Sequence, residues 1–146
     1  MDKSKEYLKK CAKAIELQND WQPKNGDWFY GTKEDFDDDD LPQDYYQFFD
    51  CEDDYYAVLP KYYNLKKKEF EDETDCVWLP SLEDMQGMLL YDTPLDEIKD
   101  FADWVAKLTI SEQERFRTTH QLWLGFVMYK NHTMVWNGKD WVFKQR

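Results

Sequence analysis

The sequence predicts an α+β fold, a single domain of antiparallel β strands and hairpins with three to four helices packed on one face. Three observations lead there. Helix-cap signals joined to a three-and-four apolar spacing occur near the N-terminus and through the second half. Short aromatic runs bounded by Pro, Gly or acidic residues fill the middle. An Asn-Gly dipeptide, Asn137-Gly138, separates two Trp-bearing runs near the C-terminus, which is a hairpin signature.

Residues 1–20 form the first element, a helix over Asp2 to Leu17. Leu8, Cys11, Ala12 and Ile15 make its apolar stripe, and five lysines lie largely off it. Pro23 and Gly26 then punctuate a turn that leads into a strand through Trp28-Phe29-Tyr30. An acidic, aromatic segment spans residues 33–54, with short strand-like runs at Tyr45 to Phe49 and, just beyond it, Tyr55 to Leu59. Lys66-Lys67-Lys68, followed by acids up to Asp75, reads as a solvated turn or hairpin end.

The remaining residues, 76–146, read as a helix-rich core closed by a C-terminal hairpin. Cys76 to Leu79 has the apolar content of a buried strand and stops at Pro80. Ser81 with Asp84 resembles a capping box for a helix through Leu90. Thr93-Pro94 places a cap and a first-turn proline before acids that favour the helix dipole. That helix is expected to bury Leu95, Ile98, Phe101, Ala102, Val105 and Leu108. Ser111 with Glu114 predicts a capping box for a last helix to about Lys130, and Met134 to Phe143 forms the hairpin.

Four of these clusters resemble a group of small uncharacterised proteins encoded by phages and prophages of Gram-positive bacteria. They are Trp21-x-Pro23-x-x-Gly26-Asp27-Trp28, Trp78-Leu79-Pro80-Ser81-x-Glu83-Asp84-Met85-Gln86-x-Met88-Leu89, Gln121-Leu122-Trp123-Leu124-x-Phe126-Val127-Met128 and Trp136-Asn137-Gly138-x-x-Trp141. The resemblance implies a mobile-element origin and a bacterial cytoplasmic setting, with no established activity attached. The acidic segment is no part of the shared pattern.

The 146 residues carry 31 Asp and Glu against 19 Lys and Arg, a net charge of −12. A chain this acidic repels phosphate backbones, so direct nucleic-acid binding through a broad basic face is not expected. Its 42% apolar and 18% aromatic content exceeds what a disordered acidic chain contains. No apolar run approaches the about twenty residues of a membrane span, and Met-Asp-Lys-Ser-Lys lacks the core of a signal peptide. Cys11, Cys51 and Cys76 read as reduced thiols in a cytoplasmic protein.

Catalytic constellations are scarce. The sequence has no glycine-rich phosphate loop, no His-Glu-x-x-His, no Cys-x-x-Cys and no nucleophile elbow. His120 lies within a predicted helix and His132 just past its end, where an imidazole complements the dipole. Counted from Asp35 as an EF-hand, the sixth position is Asp40 rather than Gly and the twelfth is Tyr46 rather than Glu. No catalytic residue, metal site or cofactor is therefore expected.

Charge concentration carries the functional expectation. From Glu34 to Asp54 there are eleven acids and no Lys or Arg: Glu34, Asp35, Asp37, Asp38, Asp39, Asp40, Asp44, Asp50, Glu52, Asp53 and Asp54. Extended at ~3.3 Å per residue, this is about one charge per 6 Å, against one per ~1.7 Å of duplex DNA. Folded back on itself the segment would come within about twofold of the duplex. The doublets Tyr45-Tyr46 and Tyr55-Tyr56 sit among these acids, and one tyrosine of each is expected to point outward. These residues are the candidate partner-binding set. The expected function is a non-catalytic phage-encoded inhibitor whose acidic face occupies a basic nucleic-acid groove on a host defence protein, as a DNA-mimicking anti-CRISPR or anti-restriction protein would. The alternative is a small accessory enzyme or ligand-sequestering protein with an aromatic and carboxylate pocket.

Overall fold

The computed structural model describes residues 1–31, 44–48, 63–64, 69–70 and 76–144. They are mixed helix and antiparallel strand, an α+β composition. The chain divides into two compact units, Lys3–Leu79 and Pro80–Arg146 together with Met1–Asp2.

In the first unit, α1 (Lys5–Lys13) starts at Ser4, whose hydroxyl accepts from the Tyr7 amide. A second helix, α2 (Ile15–Asp20), follows a break at Ala14, so the expected continuous helix is two pieces. The buried stripe also differs from the expected one. Tyr7, Lys10, Cys11, Ala14 and Leu17 face inward, Ala12 is exposed, and Ile15 is 60% exposed. Burying the larger Tyr7 ring outweighs burying Leu8, which rotates the helix by about one residue.

Strand β1 (Trp28–Gly31) pairs antiparallel with β2 (Asp44–Gln47) on one side and β5 (Val77–Leu79) on the other. The register sets Phe29 opposite both Tyr46 and Trp78. Phe29, Trp78, Phe48 and Trp21 are buried, and Trp21 stacks on Trp78 at 6.0 Å with the rings 4° from parallel. Among the described residues the Trp78 indole N–H has no acceptor. Strands β3 (Tyr63–Asn64) and β4 (Glu69–Phe70) pair antiparallel, in agreement with a hairpin around the lysine triplet.

Two polar side chains, buried Asp27 and half-buried Gln18, bond to this part of the fold. Asp27, 5% exposed, accepts from the Trp21 indole at 3.0 Å, the Lys24 amide at 3.0 Å and Lys24 Nζ at 2.7 Å. Gln18 completes the outer edge of β5, accepting from the Trp78 amide at 2.8 Å and donating to its carbonyl at 2.9 Å. A side-chain amide here stands in for a neighbouring strand. The Trp-x-Pro-x-x-Gly-Asp-Trp cluster is thus a structural tie, with Gly26 at φ +91° making the turn.

The second unit is built around α6 (Thr119–His132), which is buried from Trp123 through Met128. A helix apolar nearly all round belongs at a centre rather than on a surface. The expected Ser111 box is replaced by an overlapping one. Thr109 and Glu112 cap a short α5 (Ile110–Glu114), and α6 starts separately at Thr118. Buried Gln121 fixes that start, since its Oε1 accepts from the Arg117 amide while Thr118 caps the Gln121 amide.

The Ser81–Asp84 box is present and opens α3 (Leu82–Gly87), which is shorter than expected. Thr93 and Pro94 open α4 (Pro94–Ala106) as expected. Its expected burial is not found: no α4 residue is fully buried, and Leu95 and Ile98 are 59% and 56% exposed. Only Phe101, Trp104 and their neighbours meet α6, with Phe101 stacked on Trp123 at 3.9 Å. Trp104 and Phe116 close over Gly125, where a Cβ would lie 2.8–2.9 Å from their ring atoms. Strands β6 (Met134–Trp136) and β7 (Trp141–Phe143) form the terminal hairpin, with Gly138 at φ +102°. Asn137 accepts from the Lys139 and Asp140 amides, so the Asn-Gly pair opens a four-residue loop.

Candidate protein-interaction site

Of the expected partner-binding residues, Asp44, Tyr45 and Tyr46 lie among the described ones, all on β2. Glu34, Asp35, Asp37, Asp38, Asp39, Asp40, Asp50, Glu52, Asp53, Asp54, Tyr55 and Tyr56 lie outside the described residues. Among the described residues the sheet has the order β2-β1-β5, with β2 at one end. Strand pleating puts its two tyrosines on opposite faces. Tyr46 lies 6.0 Å from Phe29, and Tyr45 meets Tyr30 edge-on at 5.2 Å. Both are half-buried, so neither ring stands clear of the sheet. The sheet therefore anchors the middle of the acidic segment through aromatic pairs, with Asp44 opposite Gly31 in the register.

A polar cluster that the sequence did not disclose lies in the helical unit. Tyr91 donates its hydroxyl to Asp100, and Lys130 reaches the same carboxylate at 2.9 Å. Tyr91 and Lys130 also line an open groove of about 420 Å³, with Met88, Leu89, Leu90 and Asn131. Lys130 borders a second one of about 370 Å³ with Tyr129, Thr133 and Lys144. No spacing rule joins Tyr91, Asp100 and Lys130. They meet because α4 packs on α6.

The electrostatics of this cluster oppose acid–base chemistry. Burial, reinforced by the Asp100 hydrogen bond and charge, pushes the Tyr91 phenol well above its ordinary value. The Tyr91 hydrogen bond, then that of Lys130, holds Asp100 below the usual carboxylate range. A proton-transfer pair needs values drawn towards neutrality, and here both move away from it. The cluster is suited to tying α4 to α6.

The remaining Trp-bearing clusters also contribute to packing. Trp78 and Leu79 are buried in β5, Met85 and Leu89 are buried in and beyond α3, and Trp136 meets Trp141 at 5.2 Å. His120 lies in the first turn of α6 and His132 ends it. Among the described residues no helix is long and apolar enough to cross a membrane. Compared with protein-family models, curated proteins and solved structures, the chain matches none.

Proposed function

We propose that this chain is a non-catalytic binding protein whose acidic segment, Glu34 to Asp54, occupies a basic nucleic-acid-binding groove on another protein. The observation that carries this reading is the charge distribution. Residues 21–60 hold twelve acids and two lysines, most of the chain's net −12. Within Glu34–Asp54 no cation neutralises the eleven acids. Carboxylates speed encounter with a basic groove, and short-range pairs with Arg or Lys then hold it. In the phage setting that the sequence clusters suggest, the target is a host defence nuclease, inhibited by occlusion of its DNA site.

The test begins with affinity capture from bacterial lysate, with and without competing duplex DNA. Replacing Asp37, Asp38, Asp39 and Asp40 together with Asn should leave the melting temperature unchanged. Affinity for the captured target should fall at least tenfold, about 1.4 kcal/mol. DNA should compete for the target, and the protein alone should not bind DNA. Equal affinity of parent and Asn variant at physiological salt would reduce the segment to a solubility feature.

A further inference from the structure

Two open grooves of the helical unit meet near the C-terminal end of α6, and Lys130 lines both. The smaller, about 370 Å³, is bounded by Tyr129, Lys130, Thr133 and Lys144. The larger, about 420 Å³, runs past Lys130 to Met88, Leu89, Leu90 and Tyr91. We propose that together they form one binding site for a small organic phosphate. The phosphate lies between Lys130 and Lys144, and an apolar body rests against Met88, Leu89 and Leu90.

The donors select the ligand's charge. The chain carries a net −12, yet among the described residues the smaller groove is lined by two ammonium groups and no carboxylate. Each has donors to spare. Lys130 gives one proton to Asp100 at 2.9 Å and Lys144 one to the Tyr129 hydroxyl at 3.3 Å, while an ammonium holds three. Because that hydroxyl accepts from Lys144, its own proton is left to donate. Asp100, already bonded by Tyr91 and Lys130, lines neither groove. A phosphate monoester brings a charge of about −1.5 to −2 and three strong acceptor oxygens, which matches two cations and two hydroxyls. A carboxylate brings one charge and two oxygens, leaving an ammonium unmatched.

Thr133 supplies a separate observation. Among the described residues it alone, apart from glycines, has a positive φ, at 57°, and it lines the smaller groove. Glycine is the ordinary residue at such a helix end, because a β-branched side chain there is strained. Among the described residues the Thr133 hydroxyl has no hydrogen-bond partner, so no local bond offsets the strain. Strain kept beside converging donors points to a side chain retained for a ligand. The α6 carbonyls that would repel an anion are engaged, since the Thr133 amide bonds those of Met128 and Tyr129. On the larger groove Leu90 stands 98% exposed, and an apolar body resting there would remove it from water.

The experiment is titration of the full chain with phenyl phosphate, inorganic phosphate and benzoate, followed by amide NMR at about pH 8, where the monoester is dianionic. Phenyl phosphate should give saturable shifts centred on Leu90, Thr133 and Lys144, with a dissociation constant below about 1 mM. Inorganic phosphate should bind several-fold more weakly, and benzoate at least about tenfold more weakly. Lys144→Met should cost at least about tenfold in phenyl phosphate affinity. Lys139→Met, which removes an exposed lysine outside both grooves, should cost nothing. Thr133→Gly separates a ligand role from a structural one, because the denaturation midpoint should rise while affinity falls at least about threefold. No saturable shift up to about 10 mM phenyl phosphate would overturn the proposal. So would inorganic phosphate or benzoate binding as tightly as phenyl phosphate, equal losses in the two lysine variants, or a Thr133→Gly variant that binds like the parent.

Discussion

The sheet unit and the helical unit reach order by different means. In the helical unit, rings stack on a central helix, and α3, α4 and the hairpin all pack against α6. In the sheet unit, β1 must also find β5, across a long stretch that carries most of the charge. Non-directional burial does not fix register over such distances. Directional bonds help: Gln18 meets both backbone groups of Trp78 across sixty residues, while buried Asp27 ties the turn that leads into β1. The unit that carries the acidic segment therefore uses a side-chain amide as well as apolar burial to place its outer strand.

That contrast is broken most directly at Asp27. Asp27→Ala removes the acceptor for the Trp21 indole, the Lys24 amide and the Lys24 ammonium. Losing a buried multi-donor acceptor costs about 2–5 kcal/mol. Asp27→Asn keeps one acceptor oxygen and should cost less than half as much. Urea unfolding followed by tryptophan fluorescence measures both. A loss under about 0.5 kcal/mol for the alanine variant would mean that stacking alone holds the sheet.

The corresponding change in the helical unit is Gly125→Ala. A methyl at this position meets Phe116 Cζ at 2.8 Å and Trp104 Cη2 at 2.9 Å. Overpacking of this kind costs about 1–3 kcal/mol, and the better helix propensity of Ala returns about 1. The expected outcome is a net loss of up to about 2 kcal/mol in a denaturant titration. An unchanged midpoint would show that the two rings yield without cost.

Sequence patterns were informative where local chemistry decides. The Ser81 box, the Thr93-Pro94 start and the terminal hairpin follow from caps and turns within a few residues. Errors arose where two local solutions competed. Thr109-x-x-Glu112 and Ser111-x-x-Glu114 overlap, and burial of Phe116 and Gln121 favours the first with a fresh start at Thr118. In α1, Tyr7 outcompeted Leu8. In α4 the periodicity was right, but a stripe does not state what covers it. The Tyr91–Asp100–Lys130 cluster was invisible because helix packing alone assembles it. Of the acidic site, composition and charge density were legible, and Tyr45 and Tyr46 proved to be anchors within the sheet as well as neighbours of the acids.

A smaller effect, of opposite sign, is expected where the helical unit carries strain. Thr133, at the C-terminal cap of α6, has φ 57° and ψ 36°. A left-handed conformation costs a β-branched residue about 1–2 kcal/mol, part of which glycine returns as unfolded-state entropy. Thr133→Gly should therefore stabilise by about 0.5–1 kcal/mol, read as a higher denaturation midpoint. A lower midpoint would show that the threonine side chain contributes more than its backbone costs.

The smallest effect tests the Tyr91–Asp100–Lys130 tie within the helical unit. Asp100 is held below its ordinary range first by the Tyr91 hydrogen bond and then by Lys130. A carboxyl lowered on folding stabilises the native state above its unfolded value, near 4, and loses that contribution as pH falls through the native value. The Tyr91 phenol is raised, so its contribution is present below about pH 10 and is lost as the solution becomes more alkaline. Tyr91→Phe removes the phenol and returns Asp100 towards an ordinary carboxyl. The parent should melt above the variant by a roughly constant margin between about pH 5 and 9, and the margin should narrow beyond both ends. Asp100 is 39% exposed, so solvent screening keeps that margin small. A margin that stays constant down to about pH 3 would show that the tyrosine acts through packing.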